Sequence, residues 1–288
     1  MCGERNHRLI PARSLKGMVS RQPRSFKPSK RIRQAGLGLG FALVCVFVFV
    51  GGGQISAAVA GEKPALKAAI VDHLSGSFPN PHFVSKATTL LAAAGYSVDY
   101  YEGGEVTVEL YRTLPSHDYD LILLRVHSAY IPDYLSLALF TSEPYSKHRY
   151  VYEQLRNRVA AGFIEPYREG DQKYLVVTDK FVRFSMEGSF DDAMVIMMGC
   201  TGIKKCAASA FLEKGARAYI GWTGSVSAAH TDRTTLRLLQ EFLQKDRPVK
   251  EAVMGTMKAV GPDPNFNSML LYWPIGAGNE TLLYKEAH

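Results

Sequence analysis

From Lys63 onward, short apolar runs alternate with longer amphipathic segments. Strands that are covered on both faces are nearly continuous hydrophobic runs, and four such runs predict buried strands. They are Ala68–Val71, Asp120–Val126, Ala193–Met198 and Ala216–Gly221. Ser97–Tyr101 predicts a further strand, and Met269–Trp273 predicts an edge strand near the end of the chain.

Between these strands, apolar residues at helical spacing predict four helices. The first contains Phe83, Ala87 and Leu91 and ends at Gly95. The others are Lys204–Lys214, a helix that begins near Thr231 and contains Leu236–Leu243, and Val249–Val260. Strands that alternate with helices in this order form right-handed units with parallel strands. The pattern therefore predicts an α/β fold, a three-layer sandwich with a mostly parallel central sheet, formed by one domain over residues 61–288.

The middle of the chain gives weaker patterns. Val106–Tyr111 alternates between apolar and polar positions, as strands do, and Tyr150–Ala161 predicts a helix. Tyr174–Thr178 and Phe181–Phe184 predict a short hairpin that turns at Asp179 and Lys180.

The formal net charge of the 288 residues is +7, and its distribution decides what it means. Residues 1–34 hold ten Lys/Arg and one Glu, a net of +9, and residues 35–60 hold no charged side chain. The rest of the chain holds 24 basic and 26 acidic side chains, a net of −2. Because the domain itself is not basic, we expect no nucleic-acid partner.

The start of the chain has the three regions of a secretory signal. The apolar run Leu37–Val50 follows the basic stretch, and Ala58-Val59-Ala60 offers a small-x-small cleavage site. We expect cleavage after Ala60 and an extracytoplasmic protein, secreted or periplasmic. The uncharged segment 35–60 is also long enough for an uncleaved signal anchor, which would attach the protein to a membrane. A start codon assigned too far upstream would explain the long basic stretch.

Reactive side chains follow two of the predicted strands. His127 comes after Asp120–Val126, and Cys200 comes after Ala193–Met198 and Gly199. Parallel strands place chemistry beyond their carboxyl ends, and neighbouring strands lie about 4.8 Å apart. The sequence therefore predicts a Cys–His dyad, in which the imidazole activates a thiol that is mostly protonated at neutral pH. Backbone N–H groups at Ser128 and near Gly199 and Cys200 are candidates to hold an oxyanion.

These motifs resemble those of the caspase-like cysteine peptidases, which include gingipains, legumains, separases and CHAT domains. The resemblance rests on LILLRVHS, which ends at Ser128, and on MVIMMGCTG around Cys200, and it extends over about Ala68–Val253. It implies a caspase-like fold, with His127 as general base and Cys200 as nucleophile. Ser128 stands where the family usually has glycine, which puts activity in question more than fold.

Other polar residues on the same predicted edge have two interpretations. Trp222, His230 and Asp232 would line a substrate pocket, but Thr231 and Asp232 are also typical helix N-caps, and capping is the preferred interpretation. Asp72 and His73 either join the site or are solvated loop residues, and the loop interpretation is preferred. Cys206 either forms a disulfide with Cys200 or is a small buried residue, which is the preferred interpretation.

Three functions agree with these features. The preferred one is an exported cysteine peptidase that acts on a peptide or protein substrate. The alternatives are a catalytically inactive binding or scaffold module at the cell envelope and a thiol hydrolase that acts on a non-peptide acyl group. HExxH, CxxC and P-loop motifs are missing from the sequence, so we expect neither a metal nor a cofactor. The oligomeric state stays open.

Overall fold

The computed structural model describes residues 66–164 and 170–282. The strands in these residues are β1 (Leu66–Asp72), β2 (Tyr96–Glu102), β3 (Leu121–Arg125), β4 (Ser128–Ile131), β5 (Ser136–Pro144), β6 (Val159–Gly162), β7 (Tyr174–Thr178), β8 (Met194–Met197), β9 (Ala218–Trp222) and β10 (Leu270–Trp273). The α-helices are α1 (Pro81–Ala93), α2 (Val108–Thr113), α3 (Val151–Leu155), α4 (Asp179–Phe184), α5 (Lys205–Glu213), α6 (Ala228–Leu243) and α7 (Val249–Val260).

A six-stranded sheet with the order β2-β1-β3-β8-β9-β10 forms the centre of the domain. Neighbouring strands from β2 to β9 are parallel, and β10 is antiparallel to β9 at the edge. The four apolar runs all lie in this sheet, and β10 is the edge strand predicted at Met269–Trp273.

Helices cover both faces of the central sheet because its strands are apolar on both faces. In β3, Ile122 and Leu124 pack towards α2, α4 and α5, whereas Leu121 and Leu123 pack towards α1, α6 and α7. The predicted α/β class and the three-layer sandwich with a mostly parallel central sheet are therefore confirmed.

The predicted hairpin at Tyr174–Thr178 and Phe181–Phe184 is wrong in its second half. Tyr174–Thr178 is β7, but Asp179–Phe184 is the helix α4, which buries Phe181 and Val182 and exposes Phe184. An ion pair between Arg183 and Asp179, four residues apart, supports the helical turn. The strand β7 instead pairs with β5 and β6 in a second, antiparallel sheet of order β4-β5-β7-β6.

Two other weak patterns are also corrected. In Val106–Tyr111, a helix begins at Val108, because the Thr107 hydroxyl accepts a hydrogen bond from the N–H of Leu110. The helix predicted over Tyr150–Ala161 ends at Leu155, and Val159–Gly162 pairs with β7.

The described residues 66–164 and 170–282 belong to one compact unit. The predicted signal segment and its cleavage site lie outside the described residues and stay predictions. Among the helices of the described residues, none has the length and apolar character needed to cross a membrane.

Candidate active site

The strands that lead to His127 and Cys200 are direct neighbours. In the parallel pair of β3 and β8, Leu124 is aligned with Met197, and the N–H of Met198 donates to the Leu124 carbonyl at 3.0 Å. His127 and Cys200 each lie three residues beyond this aligned pair. The two chain segments therefore leave the sheet at the same edge and at equivalent positions.

Cys200 is half-buried, and the loop after β9 holds its thiol. The Sγ atom accepts a hydrogen bond from the N–H of Val226 at 3.5 Å. The thiol in turn donates to the Val226 carbonyl oxygen at 3.8 Å. Cys200 and Cys206 are both free thiols, so the alternative of a disulfide between them is excluded in this structure. Cys206 is half-buried rather than fully buried.

Gly199 allows the ends of the two strands to approach closely. A Cβ atom at this position would collide with the Ser128 Oγ atom and would lie 2.5 Å from the Val126 carbonyl oxygen. The Ser128 hydroxyl donates to the Cys200 carbonyl at 2.7 Å, and so does the Thr201 hydroxyl. Ser128, the residue that departs from the family pattern, therefore fixes the backbone of Cys200.

Three backbone N–H groups beside the thiol are available to an oxyanion. In the described part of the chain, the N–H groups of Gly199 and Cys200 donate to no protein acceptor. The Phe140 N–H donates to the His127 carbonyl at 3.0 Å, and the alternation of an antiparallel ladder then turns the Ser128 N–H away from β5. Such donors are what stabilises a tetrahedral intermediate in acyl transfer.

The imidazole of His127 lies among aromatic rings. Its centroid is 5.5 Å from that of His73, 5.9 Å from that of Phe78 and 6.0 Å from that of Phe140. Burial lowers the pKa of His127, and the positive charge of Arg125 lowers it further, so the ring is neutral and able to accept a proton at pH 7. Its Nε2 atom is buried without a hydrogen-bond partner in the described residues, and the thiol of Cys200 does not bond to it in this conformation.

His73 is a neighbour of His127 that the sequence interpretation placed incorrectly. It was expected to be solvated, but it is 8% exposed and its Nδ1 atom has no hydrogen-bond partner within residues 66–164 and 170–282. Burial, and secondarily the nearby His127, lower the pKa of His73 to about 4. Like His127, it follows directly on an apolar strand, one residue after the aligned pair of Asp72 and Arg125, and this pattern was the available sequence signal.

Arg125 is a second residue that the sequence interpretation missed. Its guanidinium is fully buried and donates to Asp72 at 2.7 Å and to both carboxylate oxygens of Asp232 at 2.7 and 2.8 Å. A further bond at 2.7 Å goes to the Phe78 carbonyl. Burial lowers the pKa of Arg125, but the hydrogen bonds and charges of Asp232 and Asp72 outweigh it and raise the pKa. The network fixes the loop that places Phe78 against His127.

The three residues predicted to line a substrate pocket are buried, and Asp232 belongs to the network of Arg125. Trp222 is fully buried and its indole N–H donates to the Thr231 hydroxyl at 2.9 Å, so it forms no pocket wall. Asp232 is occupied by Arg125, and His230 is buried with its ring 5.4 Å from the Trp222 ring. The preferred capping interpretation is also wrong, because the N-cap of α6 is Ser227.

The described residues contain no group of three or more His, Cys, Asp or Glu side chains that could hold a metal ion.

Comparison with known proteins adds little to this geometry. No family model matches the chain, and no curated protein matches it. Among solved structures, the chain is similar to the crystal structure of the Drosophila initiator caspase Dronc, with a TM-score of 0.39 and 10% sequence identity. The alignment covers 76% of this chain and 81% of that chain.

Proposed function

We propose that this chain is a cysteine peptidase of the caspase-like type, with Cys200 as nucleophile and His127 as general base. The observation that carries the proposal is the alignment of Leu124 with Met197, which brings His127 and Cys200 to the same edge of the sheet at equivalent positions. A thiol and an imidazole from neighbouring strands, beside free backbone N–H groups, are the parts that acyl transfer requires.

In the proposed reaction, the Cys200 proton passes to Nε2 of His127 while sulfur attacks the peptide carbonyl carbon. The carbonyl electron pair moves to oxygen, where the N–H groups of Gly199, Cys200 and Ser128 stabilise the negative charge. The C–N bond then breaks, and His127 donates the proton to the departing amine. A water molecule, deprotonated by His127, cleaves the thioester, and the proton returns to sulfur.

The reaction requires the thiol to leave Val226 and turn towards His127. The bonds to be lost are weak, because a thiol is a weak hydrogen-bond donor and its sulfur a weak acceptor. Active-site hydrogen bonds are often long or misaligned without substrate and tighten when it binds. A peptide that excludes water from the edge of the sheet would therefore complete the dyad. The proposal includes export through the segment that ends near Ala60.

A peptide library digested by the full-length protein and analysed by mass spectrometry tests this function. We expect new peptide termini with the wild-type protein and with Cys206→Ala, the matched control for the second half-buried cysteine. Cys200→Ala should abolish cleavage, because the proposed acyl intermediate forms on the Cys200 sulfur. Equal cleavage by Cys200→Ala would refute the assignment of the nucleophile.

One observation favours a second function, a binding module of the same fold without turnover. Nε2 of His127 has no hydrogen-bond partner in the described residues, and its ring is packed against His73, Phe78 and Phe140. If the ring is fixed there, it does not reach the thiol. A folded protein whose Cys200 resists peptide electrophiles would support this second function over the first.

A further inference from the structure

A groove on the helical layer of α1, α6 and α7 lies apart from the two residues of the proposed dyad. Its volume is about 480 Å³, within the range of about 300–1,000 Å³ that is typical of sites for small molecules. Its polar lining comes from His82, Arg233, Arg237 and Gln240, with Asn80 and Asp232 at one end. Its apolar lining consists of Ala229, Leu236, Ala259 and Val260.

The arginines of the groove are not neutralised by the carboxylates around them. Arg233 and Arg237 are one turn apart on α6 and project from the same face. Within the described parts of the chain, Arg233 forms no ion pair, and its guanidinium donates to Nδ1 of His230 at 3.0 Å. Arg237 pairs with Glu241, but that buried carboxylate also binds Lys245 at 2.7 Å and Arg247 at 2.5 Å. One negative charge therefore serves three positive charges.

The one carboxylate in the groove lining is already fully used. Both oxygens of Asp232 accept from Arg125, and the Asn80 amide donates to the second oxygen at 2.8 Å. Because Arg125 is shared by Asp72 and Asp232, that network keeps one negative charge. Arg233 and the excess of cations around Glu241 outweigh it, so the groove has a surplus of positive charge.

Two further donors lack acceptors at this groove. The Nε atom of Arg237 is buried and has no hydrogen-bond partner in the described residues. The backbone N–H of His82 lies in the first turn of α1, and in the described chain it donates to no acceptor. An oxyanion bound in the groove would give the exposed N–H of His82 an acceptor. The start of a helix also favours negative charge.

We propose that this groove binds a small organic phosphate, with the phosphate dianion on Arg233 and Arg237 and an apolar body against Leu236 and Val260. Guanidinium groups recognise phosphate with paired, charge-assisted hydrogen bonds, which single out a dianion over a neutral ligand. The apolar lining distinguishes an organic phosphate from the free ion. This binding site is independent of the proposed peptidase function.

Calorimetric titration of the full-length protein with phenyl phosphate at low salt tests the site. We expect saturable binding of one phenyl phosphate per protein chain. Inorganic phosphate should bind more weakly because it lacks the apolar body, and phenylacetate should bind more weakly because it lacks the second negative charge. Arg233→Gln should weaken phenyl phosphate binding by about tenfold or more, since one charge-assisted contact has that value. Because Arg233 is exposed, this variant keeps the fold, and Arg233→Gln combined with Arg237→Gln should remove binding.

Arg156→Gln is the matched control, because Arg156 is an exposed residue directly after α3 and lies outside the groove lining, and the net charge changes equally. Its affinity for phenyl phosphate should equal that of the wild type. Equal weakening by Arg156→Gln and Arg233→Gln, or no saturable binding at millimolar concentration, would overturn the proposal. Phenylacetate or inorganic phosphate binding as tightly as phenyl phosphate would overturn the assignment to an organic phosphate.

Discussion

The rings of His73 and His127 lie edge to face, with centroids 5.5 Å apart and an angle of 76° between their planes. Each ring has one buried nitrogen with no partner in the described residues, Nδ1 in His73 and Nε2 in His127. Burial lowers the pKa of both residues. Two neutral imidazoles therefore pack together at the ends of the neighbouring strands β1 and β3.

The low pKa of His73 makes stability depend on pH. In the unfolded chain, His73 has a pKa of about 6.5 and binds a proton below that pH. In the folded protein, its imidazole stays neutral down to about pH 4. The free energy of unfolding should therefore fall by about 2 kcal/mol between pH 7 and pH 5 through His73 alone.

Urea unfolding of the wild type and of His73→Phe at several pH values measures this contribution. The phenylalanine variant fills the same aromatic environment and should lack the part of the loss at low pH that is due to His73. His148→Gln, a control at an exposed histidine, should keep the wild-type dependence. Parallel curves for wild type and His73→Phe would contradict the buried, neutral state of His73. His127, which lies next to His73, and Arg125, whose charge acts on His127, are unchanged in all three proteins.

Removal of Arg125 should strongly destabilise the domain. Arg125→Met leaves Asp72 and Asp232 buried without their counter-charge, and the loss of one partner from a buried ion pair costs about 3–5 kcal/mol. The same substitution at exposed Arg156 should change the free energy of unfolding by about 0.5 kcal/mol or less. A small, equal effect of both variants in urea unfolding would show that the network contributes little to stability.

Gly199→Ala tests the close approach beside the thiol. The added methyl group collides with Ser128 and with the Val126 carbonyl, so the free energy of unfolding should fall by about 1–3 kcal/mol. The hydrogen bond from Ser128 to the Cys200 carbonyl should also be lost. Gly76→Ala is the control, because nothing lies within 4 Å of its added Cβ. If Gly199→Ala is as stable as Gly76→Ala, the two strand ends are farther apart than described.

The four inner strands of the central sheet were predictable from the sequence because they are buried on both faces. Such strands are continuous apolar runs, and the helices between them have clear apolar stripes, as in Val249–Val260, where the predicted and observed limits agree. The antiparallel sheet was not predicted, since β4 and β6 have only four residues each. Asp179–Phe184 was misassigned because its apolar residues at 181, 182 and 184 also fit a short strand.

Within the candidate site, the sequence indicates only the residues that directly follow an apolar strand. His127 and Cys200 follow apolar runs, but their partners depend on contacts between distant segments. The Asp232 carboxylate lies 107 positions from Arg125, and nothing local links them. One signal was present, since Arg125 sits inside the apolar run Asp120–Val126, and a buried guanidinium requires carboxylates nearby. The aspartates that follow other predicted strands were the natural candidates.

The most direct test of the central claim is covalent labelling of the full-length protein by a peptidyl chloromethyl ketone, followed by mass spectrometry. The account predicts one adduct at Cys200, which is kept in Cys206→Ala and absent in Cys200→Ala. Labelling of His127→Ala should be slower by about 100-fold or more, because the general base is lost. Equal labelling rates for His127→Ala and wild type, or an adduct at Cys206 instead, would contradict the dyad.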